Sequence, residues 1–352
     1  MKTEFHRITR LPSYVFAEVN KLKAKYRDEG HDIIDFGMGN PDIDTESFIV
    51  DKLIETVKKP KTPVNRVMTW VPPYATSTCL DRLNESFGGV GMKNGLTHLG
   101  LQFWRPVENG KIQLVDNFKP IDDSTIIQFR KWGDIHNVQV LLCVYNGYKD
   151  GWNWEVAKNA FDKNRKQFIK ALVSETIRLE LDGVDIDFEG KGTRDGDKKA
   201  FIGFIKELSS ALRAKGKELT VDSFAYKWNA PNQGWWKLML PHIDALHVMG
   251  YSETGSKSAG WRSYDFLKAA AEKYSSKLII GAPSHMSKWE KASVQEHLEW
   301  IAKDPSVGLA IWDAQLKDPQ WRTREAWKTI SRIRQGTVLN GSGTPTIPSE
   351  KN

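Results

Sequence analysis

Apolar and polar residues alternate without a break through residues 184–189 of the stretch LDGVDIDFEG (181–190): Val184, Ile186 and Phe188 share one parity, and Asp185, Asp187 and Glu189 share the other. Period-two alternation marks a strand, because successive side chains leave opposite faces. From about residue 63 onward β-rich runs recur: NRVMTWV, GLTHLGLQFW, VQVLLCVYNG, LDGVDIDFEG, ELTVDSFAY, IDALHVMGY, KLIIGAPS and VGLAIWDAQ. Between several of them the period changes to 3.6. NRKQFIKALVSETIRLE gathers Phe168, Ile169, Leu172, Val173, Thr176 and Ile177 on one helical face. DKKAFIGFIKELSSALRAKG gathers Phe201, Phe204, Ile205, Leu208 and Leu212, with Gly216 as its stop. Strand then helix, repeated eight times, predicts an α/β fold, a (β/α)8 TIM barrel with an N-terminal helical or irregular extension. A doubly wound sheet is the alternative, but no glycine-rich phosphate loop follows the first strand.

Chemistry in a parallel barrel collects where the strands end. The fourth run therefore carries its carboxylates up the interior and finishes with Glu189 at the mouth, while Val184, Ile186 and Phe188 point outward beneath helices. Neighbouring carboxylates on one strand face stand roughly 7 Å apart. At an effective dielectric near 20, two full charges at that spacing repel by roughly 2 kcal/mol, enough to raise a pKa by roughly one to two. One proton is then held within the row, as a general acid at neutral pH requires.

Two other uses of the row are weighed on the same residues. From Asp185 the spacing follows the start of a calcium loop, but its twelfth position is Gly196 where a bidentate Glu is needed, and the alternating apolar residues demand a strand. No metal is expected. A purely structural row would bury three acids without a task, which is costly.

Composition narrows the classes. The chain has 352 residues, 40% of them hydrophobic, enough for a large core, and a net charge of +7 spread thinly among acidic residues, so no nucleic-acid partner is expected. No apolar run approaches the ~20 residues of a membrane span, so no membrane partner is expected. MKTEFHRITR lacks the apolar segment of a signal peptide, which reads as cytoplasmic, with secretion the alternative if the beginning has been replaced. Cys79 and Cys143 read as buried free thiols. The 14 Trp include candidates for sugar-facing surfaces. Trp70, Trp152 and Trp154 follow or end strands; Trp235 and Trp236 suit either a platform or a helix packed on the barrel. His136, His242 and His247 show no ligand spacing and read as structural.

The ends differ from the body. Residues 336–352, GTVLNGSGTPTIPSEKN, read as a flexible tail. Residues 5–62, with RLPSYVF and DIIDFGMGNPD, resemble the N-terminal arm of alanine-type pyridoxal-phosphate aminotransferases. The resemblance stops there. The Schiff-base Lys of that family has only a distant echo in SKSAGWR, where Lys257 is too close to the Gly-Trp-Arg, so no cofactor is expected. The arm is expected to pack on the barrel or to pair two chains as a homodimer. Domain limits are set at 1–62, 63–335 and 336–352.

Residues 63–335 resemble glycoside hydrolase family 18, the chitinases and endo-β-N-acetylglucosaminidases. DGVDIDFE fills that family's Asp-Gly-x-Asp-x-Asp-x-Glu pattern at Asp182, Gly183, Asp185, Asp187 and Glu189; THL at residues 97–99, Met249, Tyr251 and Trp312 follow in order. The resemblance implies a retaining glycosidase for β-1,4 linkages of N-acetylglucosamine, whose substrate supplies its own nucleophile. It implies Glu189 as acid and base, Asp187 as the group that orients the 2-acetamido substituent, Asp185 as its proton-sharing neighbour and Tyr251 as donor to the acetamido carbonyl. Trp312, Met249, Trp70, Tyr145 and Tyr226 are expected to contact substrate. The implied partner is a polysaccharide or glycan containing N-acetylglucosamine. Chitin-type substrates, the N-glycan chitobiose core and a lectin-like barrel without turnover all remain open. Two departures stand out: Ser252 replaces the Asp that often follows the sixth-strand Tyr, and VYNG, with Tyr145 and Asn146, replaces a small Ser-x-Gly-Gly ending. A short connection between the last two strands implies an open cleft.

Overall fold

The eight apolar runs become eight parallel strands in a computed structural model that describes residues 15–33, 65–116, 118, 120–224, 230–249, 268–285, 288–289, 292–304 and 306–336. The strands are β1 (Val67–Val71), β2 (His98–Val107), β3 (Gln139–Tyr145), β4 (Gly183–Asp187), β5 (Glu218–Phe224), β6 (Ala245–Met249), β7 (Leu278–Pro283) and β8 (Gly308–Trp312). Each pairs in parallel with its sequence neighbours, and β8 pairs with β1, so the sheet closes. This is the predicted (β/α)8 barrel. The chain forms two units, Met1–Pro60 and Lys61–Asn352. In the first, the described residues contain the helix α1 (Val15–Asp28). Most of the aminotransferase-like motifs and residues 337–352 of the tail lie outside the described residues, as do Lys257 and Ser252.

Strand alternation sorts the barrel unit into two apolar layers. Val184, Ile186 and Phe188 join the large outer layer, together with the buried faces of α2 (Thr76–Asn84), α3 (Asp123–His136), α4 (Arg165–Arg178) and α5 (Lys198–Arg213). A smaller inner layer holds Met68, Trp70, Leu141, Cys143, Ala245, Ile279 and Ala310. Phe188 is the outer anchor of β4, its ring 6.2 Å from Phe168 of α4 and 6.5 Å from Phe161. Burying such a ring stabilises by about 1.5–3 kcal/mol, and this fixes which way the strand faces.

The helix α5 buries all five stripe residues expected of it, and Gly216 follows with φ +66°, a conformation that suits a helix stop. On α4 the expectation needs one correction. Phe168, Leu172 and Thr176 are buried, but Ile177 is 44% exposed, at the margin of the helical face. Strand β4 also stops at Asp187, so Glu189 stands two residues beyond the ladder rather than within it.

Extra strands were not expected from the alternation. Lys111–Leu114 pairs antiparallel with the end of β2, and Gly147–Tyr148 pairs with Gly151–Trp152 just after β3. A register shift in β2 between Leu101 and Trp104 is a bulge, which lets Gln102 face inward while Leu101, Phe103 and Trp104 all join the outer layer. Gly100 is needed for close approach: a Cβ there would lie 2.6 Å from Trp70 Cδ1 and 2.7 Å from Met68 Cε.

The N-terminal end of the barrel carries an ion network. Arg66 donates to Glu218 Oε2 at 2.5 Å and to Oε1 at 3.3 Å, and His98 Nε2 lies 3.0 Å from Oε1. Burial alone would raise the Glu218 carboxyl, but His98 and Arg66 pull it well below the usual range; burial and the Arg66 charge lower His98 itself, so Arg66 is the partner that stays charged at neutral pH. A depressed folded-state pKa gives stability that is present above the unfolded value of about 4.3 and is lost as pH falls. Glu218→Gln should therefore destabilise the protein by about 3 kcal/mol at pH 7, with the difference shrinking below pH 4. Urea midpoints at the two pH values check this.

Candidate active site

Register carries the parity of β4 onto its neighbours. Asp185 stands beside Cys143 of β3 and Thr220 of β5, Asp187 beside Tyr145, and Asp222 of β5 beside His247 of β6. All of these side chains therefore share the barrel interior. Asp185 is 0% exposed; its Oδ1 accepts from Thr220 Oγ1 at 2.5 Å and its Oδ2 accepts from Trp70 Nε1 at 2.8 Å. His247 Nδ1 lies 3.5 Å from Asp185 Oδ1 and 2.6 Å from Asp222 Oδ1. Asp187 is 3% exposed and its Oδ2 accepts from Gln102 Nε2 at 2.8 Å, while its Oδ1 has no N–H donor among the described residues. The carboxyls of Asp187 and Glu189 face each other. Two acceptors in contact imply a proton between them.

Electrostatics divides the group. Burial would raise Asp185, but the hydrogen bond and charge of His247, with donors from Thr220 and Trp70, hold it below the usual carboxylate range. Asp187 is pushed up to about 7, chiefly by burial and further by Asp185, against the opposing hydrogen bond from Gln102. Burial raises Glu189 well above its ordinary value, and Asp187 and Asp222 add to this. Burial, then Asp185 and Asp187, raise Asp222 in the same way. The site thus holds a charge at its base and protons nearer its mouth. Among the described residues, no Lys or Arg pairs with any of these four carboxyls.

Could the group hold a metal? Ligand atoms of Asp185, Asp222 and His247 lie within 4.8 Å of one another, as do those of Cys143, Asp187 and Asp222. Both oxygens of Asp185 already accept hydrogen bonds from neutral donors, and burial followed by the three Asp carboxyls raises the Cys143 thiol far above the range in which it is a thiolate ligand. The donor set fits protons better than a cation.

Of the residues expected at the site, Asp185, Asp187 and Glu189 come together as the alternation required. Trp312 is partly exposed at the end of β8, with its ring 6.0 Å from Trp70. The peptide after it is cis and is held by Ser284, whose N–H donates to Trp312 O at 2.5 Å and whose Oγ accepts from Asp313 N at 3.0 Å. Trp70 is buried beneath this layer, and its indole N–H is used on Asp185, so it supports the acid row from below. Met249 and Tyr145 are buried at the ends of β6 and β3. Tyr251 and Tyr226 lie outside the described residues.

Other aromatic expectations change. Trp154 is buried in the outer layer and donates to Asp197 at 2.9 Å, so it does not line the cleft. Trp235 and Trp236 are buried too, in keeping with a helix packed on the barrel. Trp152 is 43% exposed on the small hairpin after β3, its ring 6.1 Å from Tyr145. His247, expected to be structural, is a direct partner of the acids. Gln102, Thr220 and Asp222 were also missed. The signal was present: ELTVDSF and ALHVM put Thr220, Asp222 and His247 on the inward parity.

The family model for glycosyl hydrolases family 18 matches residues 69–332. The chain belongs to glycosyl hydrolase family 18. Among solved structures, this family 18 chain resembles the Group IV chitinase of Ostrinia furnacalis, with a TM-score of 0.60 and 15% identity over 77% of this chain and 99% of that one. It also resembles a chitinase from Chromobacterium violaceum ATCC 12472, with a TM-score of 0.57 and 16% identity over 77% of this chain and 98% of that one. At such identities the likeness is one of fold. Among curated proteins, a Methylorubrum extorquens protein assigned as an aspartate aminotransferase is 58% identical over 60 residues, 17% of this chain and 64% of that protein. The chain thus spans less than two thirds of that relative's length.

The raised acids leave a thermodynamic trace. A carboxyl whose folded pKa is raised stabilises the fold fully below its unfolded value, near 3.9, and that contribution is lost as pH climbs through the folded value, about 7 for Asp187. Asp187→Asn, which still accepts from Gln102, should be more stable than the parent at pH 8 by on the order of 2–4 kcal/mol, with the advantage gone at pH 4. Thermal melts of both proteins at the two pH values check the sign.

Proposed function

We propose that this family 18 chain is a retaining glycosidase that hydrolyses β-1,4 linkages of N-acetylglucosamine polymers or oligomers with help from the substrate's own acetamido group. The observation that carries the reading is the row of Asp185, Asp187 and Glu189 along one barrel strand and its end, the first two buried and Glu189 half-buried, with donors on both oxygens of Asp185 and with Asp187 and Glu189 holding their protons above the ordinary carboxyl range. In the first step Glu189 gives its proton to the glycosidic oxygen as the C1–O bond breaks. The acetamido carbonyl oxygen attacks C1 from the opposite face and closes an oxazolinium ring. The proton that leaves is the one Glu189 shared with Asp187, so Asp187 is left as a carboxylate that accepts the hydrogen bond from the acetamido N–H and balances the positive charge. Asp185 keeps its own charge below, fixed by Trp70, Thr220 and His247.

In the second step the Glu189 carboxylate takes a proton from water, whose oxygen attacks C1 and reopens the ring. Two inversions leave the β configuration unchanged, and Glu189 is again protonated. Tyr251 is assigned to the acetamido carbonyl and Trp312 to the apolar floor under the sugar. The chitinases among the structural neighbours support chitin-type substrates for this chain. A lectin-like use of the same barrel has no need of a protonated Glu189.

Glu189→Gln should keep oligosaccharide binding and lower turnover of a chromogenic chitobioside or chitotrioside by about 10³-fold or more. Near-parental turnover with a folded variant would sink the assignment. A thiazoline analogue of the cyclised sugar should inhibit competitively, and the first-formed product should be the β-anomer by NMR.

A further inference from the structure

We propose that Asn146 is a positioning residue for Glu189, acting through the main chain of the acid rather than through its carboxyl. The inference rests on the reading of Glu189 as the proton donor. Strand pairing reaches only Tyr145 opposite Asp187 on the β3 side, and only Ile186 opposite Val221 on the β5 side. Among the described residues, Glu189 therefore has no strand neighbour for its main-chain groups. Asn146 provides one. Its Oδ1 accepts from Glu189 N–H at 2.8 Å, and its Nδ2 donates to Glu189 C=O at 2.7 Å. The side-chain amide behaves as one more peptide unit of β3, extending the ladder by a single rung.

The orientation of that amide is unambiguous, because a flip would set donor against donor and acceptor against acceptor at both contacts. Asn146 is 0% exposed, so water does not replace either bond. It is itself held, since its C=O accepts from Asn153 N–H at 2.9 Å as the chain returns from the small hairpin. On the other side Phe188 pins the same segment of β4 to the outer aromatic layer. The acid is thus fixed laterally by Asn146 and radially by Phe188. Asn146 is also the site where the chain departs from the family's small third-strand ending. A glycine there has no side chain to make either bond.

A displacement of about 1 Å in a reacting group lowers rate by about 100-fold while leaving ground-state binding largely intact. Asn146→Ala should accordingly reduce kcat on a chromogenic chitobioside by about 30–100-fold, with KM within about threefold of the parent. The basic limb of the kcat–pH profile should move as well, because Glu189 would sit differently against Asp187. In a Glu189→Gln background the same substitution should cost less than about twofold further, since it acts through the residue already removed. Asn146→Asp keeps the acceptor for the N–H and loses the donor to the C=O; it gives the same comparison, with an intermediate loss, if the alanine variant does not fold. Unchanged kcat and pH profile in a folded variant would overturn the proposal. So would a loss that persists in full in the Glu189→Gln background, or a loss accounted for by the unfolded fraction in a thermal melt. Parental turnover by Glu189→Gln alone would instead overturn the function on which the proposal rests.

Discussion

Four carboxyl groups share the upper interior of one barrel, and they cannot all be charged where so little water reaches them. Their mutual repulsion is the constraint to which the rest of the site is fitted. Asp185 takes the charge because, among the described residues, it has neutral donors on both oxygens, with His247, which also meets Asp222, beside it. Asp187, Asp222 and Glu189 then hold protons more tightly than free acids do. Removing the donors beneath would not merely weaken one contact; it would redistribute protons through the whole set.

The surrounding structure serves that distribution in separable ways. Gly100 leaves the space in which the Trp70 ring reaches Asp185, and the bulge in β2 turns Gln102 toward Asp187. Phe188 holds β4 from the helix side, so the strand cannot rotate its acids outward without exposing an aromatic ring. The inner apolar layer is small and the outer one extensive, so most of the hydrophobic stabilisation comes from helices packed on the outside of the barrel. The interior can therefore carry polar groups at a cost the fold tolerates.

Much of this was legible in the chain because period two is a strong signal when both parities are pure. The inward row of β4 followed from it, while the other strands followed from β-rich runs and the face of α5 from period 3.6. The reading failed where alternation was diluted. His247 stands alone between apolar neighbours and Asp222 sits in a run of mixed polarity, and only register, which depends on how separate strands pair, brings them to Asp185. Trp154 misled because position after a strand does not reveal which way a ring turns. Glu189 stands beyond its strand, bonded through its main chain to the amide of Asn146 one residue past β3, and no local pattern announces a long-range bond of that kind.

The two thiols have a practical implication. Cys79 and Cys143 are the only cysteines in the sequence, both are buried, and burial pushes both far from the thiolate form that reacts with electrophiles. The native protein therefore offers maleimide and iodoacetamide dyes a silent background. A single cysteine introduced on the exposed hairpin near Trp152 would report fluorescence from the cleft rim alone.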